Sequence, residues 1–179
     1  ADFERAQARG FPEARVLAEM VETHRLADDL KAAKEQLHKL AKAAPKSALT
    51  FYQEARLLEA EGDEAGAVAA LEKAVEADPD YVPAVFRLAY LSDLHGDDER
   101  AIELYRMCVA KKPAHVNALV NLAVLMEDVG KFDEAVRLLE RVLGVYPNHE
   151  RARLFLRDAR SSMTMFYDEE YEKRKDRFE

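Results

Sequence analysis

The stretch GDEAGAVAALEKAVEADP begins at Gly62, GDDERAIELYRMCVAKKP at Gly96 and GKFDEAVRLLERVLGVYP at Gly130, so one pattern returns every 34 residues. Prolines keep the same step at Pro45, Pro79, Pro113 and Pro147, and alanines keep it at Ala33, Ala67, Ala101 and Ala135. A period of this length constrains the fold more than any other feature. It requires one supersecondary unit used repeatedly, each copy too small to bury its apolar face alone and completed by its neighbours.

Each recurring position has a mechanical reason. A large residue follows each alanine by four (Leu37, Leu71, Tyr105, Leu139), and a smaller or apolar one follows by seven (Leu40, Ala74, Cys108, Val142). These steps place all three on one helix face. Gly62, Gly96 and Gly130 offer the positive φ that ends a first helix. The acidic residues after them (Asp63, Asp97, Asp98, Asp133, Glu134) suit the positive end of a second helix. The alanine is small because two helices cross closely there. The proline stops the second helix before the next pair begins. At 179 residues the chain has the length of one domain.

At these residues the sequence resembles the tetratricopeptide repeat family. Leu88-Ala89 and Leu122-Ala123 stand where the family favours Leu-Gly. Phe51 stands at its aromatic opening position, with Val85 and Leu119 replacing that aromatic in the next two copies. The resemblance implies an all-α, right-handed solenoid of helix–turn–helix repeats with a C-terminal capping helix. Residues 48–81, 82–115 and 116–149 are the three clear repeats. Residues 14–47 form a degenerate one, in which Leu17, Met20, Ala33, Leu37, Leu40 and Pro45 fall in phase but Asp28 replaces the turn glycine. The alternative for that segment is a long helix interrupted near Thr23 or Asp28. Residues 1–13 form a lead, a short helix or a disordered stretch. Residues 150–167 read as the capping helix, with Leu154, Leu156, Ala159 and Met163 facing the last repeat. Residues 168–179 read as a charged tail, either a helical extension or a linker.

Composition narrows the function classes. The net charge of -8 disfavours phosphate backbones, so no direct nucleic-acid binding is expected. The single cysteine excludes an intrachain disulfide and fits a reducing, cytoplasmic setting. No apolar run has the length of a membrane span, so no membrane partner is expected. Cys108 falls at a small core position. His115 and His149 each end a repeat, on neighbouring copies whose helices pack roughly 8–10 Å apart, too far to share a metal directly. HExxH, paired CxxC and phosphate-cradling glycine loops are all absent from the sequence. The expectation is a chain without catalytic residues, metal or cofactor.

What remains is a surface. The resemblance implies that first helices line the concave side of the stack and hold a protein or peptide partner there. The outward positions on that side are Tyr52, Arg56 and Glu59 in the first clear repeat. They are Phe86, Tyr90 and Asp93 in the second, and Asn117, Val120, Val124, Glu127 and Asp128 in the third, with Glu22 and Arg25 extending them N-terminally. Tyr52, Phe86 and Tyr90 are the expected anchors, because aromatic residues dominate binding energy at interfaces. Purely structural packing of these rings, occupation of the groove by the chain's own terminal helix, and homo-oligomer formation are the alternatives. Some chaperone-binding members of the family grip a terminal carboxylate with a Lys, Asn, Asn, Lys, Arg clamp. The matching positions here are Tyr52, Arg56, Arg87, Asn117 and Asn121, which do not reproduce it. The stretch SSMTMFYDEEYEKRKDRFE, 161–179, is similar to a junction in bacterial repeat proteins that continue into a domain like the C-terminal domain of the RNA polymerase alpha subunit. That similarity implies an RNA polymerase link through a domain outside this chain. A regulatory domain of a larger enzyme is a further alternative.

Overall fold

A computed structural model describes residues 12–111 and 114–175, with side chains through 168 in the last helix. The described residues are all-α. Helices α1 (Glu13–Leu26), α2 (Leu30–Ala43), α3 (Ala48–Glu61), α4 (Glu64–Ala77), α5 (Val82–Leu94), α6 (Asp98–Ala110), α7 (Val116–Asp128), α8 (Phe132–Val145) and α9 (Glu150–Lys175) follow in order. The expected lead falls mostly on residues 1–11, outside the described residues, as do the last four residues of the tail.

The chain divides into two compact bodies, 1–91 and 92–179, parting within α5. Length alone suggests one domain. A repeat array has no central core, because each helix pair packs only on its neighbours, and so it can part at any of them.

The turns explain why the pairs form. Gly62, Gly96 and Gly130 have φ of 81°, 75° and 72°. Behind each, the next residue's N–H reaches back to the carbonyl five positions earlier: Asp63 to Leu58, Asp97 to Ser92 and Lys131 to Met126, at 2.9, 2.9 and 2.7 Å. This closes the helix end in the Schellman manner. The degenerate repeat makes the same turn without glycine. Asp28 takes φ 59°, and Asp29 N–H bonds the His24 carbonyl at 2.9 Å. α1 and α2 are therefore two helices, not one interrupted helix. Asp tolerates this left-handed region better than most residues, though not as well as glycine. Asp29, Asp63 and Asp97 then accept the N–H of Ala32, Gly66 and Arg100, capping α2, α4 and α6. The third clear repeat departs here. Lys131 occupies the cap without a side-chain bond, and Asp133 and Glu134 act from the first turn.

The periodic core is buried as the spacing requires. Ala33, Ala67, Ala101 and Ala135 are all 0 % exposed, and Leu71, Tyr105, Leu139, Leu40, Ala74, Cys108 and Val142 are at most 1 %. In the first pair Leu17, Ala18 and Leu40 form the cluster, joined by Met20, Leu37 and Leu49. Truncating any of the fully buried leucines costs about 2–5 kcal/mol.

The last helix runs on to Lys175, so the described part of the tail takes the helical-extension alternative. It differs from expectation in one respect: it turns Ala152, Leu156 and Ala159 to the core, while Leu154 is 46 % exposed. Leu154 lies two residues from both Ala152 and Leu156. At 3.6 residues per turn that is about 200° around the helix, on the far side.

Candidate binding surface

On the N-terminal body the first helices α1, α3 and α5 bring the expected residues into one charged and aromatic cluster. On α3, Arg56 Nη1 donates to the Tyr52 hydroxyl at 3.2 Å, and its Nε lies 3.1 Å from Glu59 Oε2. From α5, Arg87 Nε reaches the other oxygen of the same carboxylate at 2.6 Å. The Arg87 guanidinium also lies over the Tyr90 ring, 5.2 Å from its centroid, an attractive cation–π placement. On α1, Arg25 holds Glu22 bidentately at 2.6 and 2.8 Å. That bond holds the Glu22 carboxyl below its usual range, against the opposing effect of burial and with added help from the charges of Arg25 and Arg56. For Arg56, burial pulls downward, but the Tyr52 hydroxyl and the carboxylates of Glu22 and Glu59 outweigh it and hold its charge. The Tyr52 ring meets Tyr81 edge to face, with centroids 5.6 Å apart. Burial, with Tyr52 adding to it, pushes the Tyr81 phenol up to about 12. Tyr90 is the most accessible anchor, 38 % exposed; Phe86 and Tyr52 are half-buried.

Tyr81 and Arg87 are the residues that periodicity missed. Tyr81 stands in the loop before α5. Arg87 is one step from an outward position and enters by the reach of its long side chain. The basic residue among aromatics on α5 was the available signal.

On the C-terminal body the expected face is largely spent on the protein itself. Val120 is 0 % exposed, so it is core and offers nothing to a partner. A short branched side chain at that position does not project past its neighbours as the rings of Tyr52 and Phe86 do. Asp93 accepts the Tyr105 hydroxyl at 3.0 Å, and Asn121 Nδ2 donates to the same oxygen at 2.9 Å. Burial, aided by Asp98 and Asp128, raises the Asp93 carboxyl, while the Tyr105 bond opposes the rise. Glu127 accepts the hydroxyl of Ser162 on α9 at 2.8 Å. Asn117 and Asp128 are exposed, and Val124 is half-buried. Elsewhere on this body an apolar recess of about 280 Å³ is lined chiefly by Val116, Leu119, Val142, Val145 and Tyr146, with Arg141 beside them.

Cys108, His115 and His149 have structural roles. Cys108 is buried, which pushes its thiol up to about 11. His115 and His149 cap helices: Nδ1 of each accepts a backbone N–H, from Ala118 at 3.2 Å and from Ala152 at 3.1 Å. Among the described residues no group of three or more His, Cys, Asp or Glu is placed to hold a metal ion. No described helix is long and apolar enough to cross a membrane.

The family model described as Tetratricopeptide repeat matches residues 58–107 and 94–159, together more than half of the chain. The chain belongs to the tetratricopeptide repeat family. Solved structures agree on the fold of this tetratricopeptide repeat protein. A crystal structure of MamA superposes with a TM-score of 0.69 at 19% identity, covering 85% of this chain and 83% of that one. Pseudomonas aeruginosa pilF gives 0.72 at 17%, covering 89% and 70%. TTC0263, a thermophilic tetratricopeptide repeat protein of Thermus thermophilus, gives 0.64 at 20%, covering 88% and 86%. At these identities the likeness is one of fold. No curated protein matches the chain. The family is typical of protein–protein interaction scaffolds.

Proposed function

We propose that this chain is a non-catalytic scaffold that binds a peptide or helix of another protein on the first-helix face of its N-terminal body. The observation that carries this reading is the cluster just described. Tyr90 is accessible and backed by Arg87, Tyr52 is braced by Tyr81 and Arg56, and Glu59 is hydrogen-bonded by Arg87 and paired by charge with Arg56. Rings and guanidiniums fixed before a ligand arrives lose little conformational freedom on binding, which favours affinity. The corresponding α7 positions support binding less well, because Val120 is buried and Glu127 is already bonded to Ser162.

A displayed library of random peptides, selected against the full chain, tests the proposal. Selected peptides should lose binding to a Tyr52→Ala, Phe86→Ala, Tyr90→Ala variant whose circular dichroism is unchanged. Selected peptides that bind this variant as well as wild type would sink the reading.

A further inference from the structure

Accepting that the N-terminal body binds a peptide, its charges say which kind. Three guanidiniums, Arg25, Arg56 and Arg87, meet two carboxylates, Glu22 and Glu59. Arg25 takes Glu22 bidentately. Arg56 and Arg87 then share Glu59, one on each oxygen. None of these side chains is well solvated. Their exposures are 13 % for Arg25, 29 % for Glu22, 23 % for Arg56, 14 % for Glu59 and 32 % for Arg87. The cluster thus has one more guanidinium than carboxylate, and at these exposures salt screens its charge less than that of a fully exposed group.

We infer that this face selects an acidic peptide, with an Asp or Glu side chain seated against Arg87 and Arg56 and a neighbouring apolar or aromatic side chain on Tyr90. The chain as a whole carries -8, which opposes an acidic ligand at long range. At physiological salt that field fades over about 8 Å, so the local surplus decides. Glu59 has a double part in this arrangement. It orients the Arg87 guanidinium by a hydrogen bond, and its charge competes with the ligand for both arginines.

The experiment uses fluorescein-labelled, C-terminally amidated peptides of alternating Glu and Phe, with Gln/Phe and Lys/Phe counterparts, titrated against the full chain by anisotropy. The expected order is Glu tightest, then Gln, then Lys, with the Glu advantage shrinking as salt rises. Arg87→Gln should weaken the Glu peptide about tenfold or more while leaving the Gln peptide little changed. Glu59→Gln should do the opposite and tighten the Glu peptide, which mere damage to the fold would not do. If both substitutions weaken it, the cluster is structural and the inference is overturned. If the three peptides bind alike yet all lose affinity in the Tyr52→Ala, Phe86→Ala, Tyr90→Ala variant, the groove stands and its acidic preference falls. If Glu/Phe binds only with a free C-terminus, the assignment to a side-chain carboxylate fails. If none of the three binds while library-selected peptides do, the acidic preference fails and peptide binding survives.

Discussion

Replacing Tyr105 by Phe removes a single oxygen from a side chain that is 0 % exposed. The ring stays, so no cavity opens and the apolar packing of α6 is kept. What is lost is the hydroxyl that donates to Asp93 Oδ2 at 3.0 Å and accepts from Asn121 at 2.9 Å. A hydrogen bond to a charged acceptor contributes about 1.5–3 kcal/mol and a neutral one about 1 kcal/mol. Both partners are half-buried, so water replaces part of each bond. We expect a loss of about 2 kcal/mol in urea unfolding at pH 7. Hydrogen exchange at the α6 amides should place the loss in that helix and its neighbours. The loss should also depend on pH. The Tyr105 bond favours the ionised Asp93, whose carboxyl is raised by burial and by Asp98 and Asp128. Once falling pH protonates Asp93, the bond is to a neutral acid and is weaker. The difference between wild type and Tyr105→Phe must therefore shrink as pH falls through the raised Asp93 value. A loss below about 0.5 kcal/mol, or one that is constant from neutral to acidic pH, would refute this account of the network.

Other expectations are independent of it. Asp28→Gly should stabilise the first helix pair by about 1 kcal/mol, since φ at this position is 59° and glycine bears it without strain; an unchanged urea midpoint would count against that strain. His115→Ala should cost about 1 kcal/mol at neutral pH by removing the α7 cap, while His115→Asn should largely retain it. Burial lowers the folded-state value of His115 below that of the unfolded chain. Its stabilising contribution is full above the unfolded value of about 6.5 and is lost as pH falls through the folded one. The pH slope of stability in this window should flatten in His115→Asn. Cys108, with its thiol pushed up to about 11, should be labelled by a thiol reagent at mildly alkaline pH far more slowly than an exposed cysteine, and rapidly once urea unfolds the chain.

Much of this protein is legible along its sequence. The 34-residue step, the alanine with partners at four and seven, and the turn glycines determine the all-α repeat fold. They do so because each is a local demand, met within one helix pair or at its edge. At the first pair the sequence left two outcomes open, because Asp28 stands where the turn glycine would be; the structure has two helices there, with Asp28 taking the left-handed turn at φ 59°. The candidate binding surface was legible only as a list of outward positions. Tertiary structure decided which of them are available. Val120 sinks into the core, Asp93 turns to a phenol on another helix and Glu127 bonds a serine 35 residues away. It also decided that Arg56 of α3 and Arg87 of α5 meet on one carboxylate. Such pairings depend on the reach and direction of side chains across helices, which periodicity along the chain does not encode. The turns belong to the sequence, and the arrangement of charge on the first-helix face belongs to the packing.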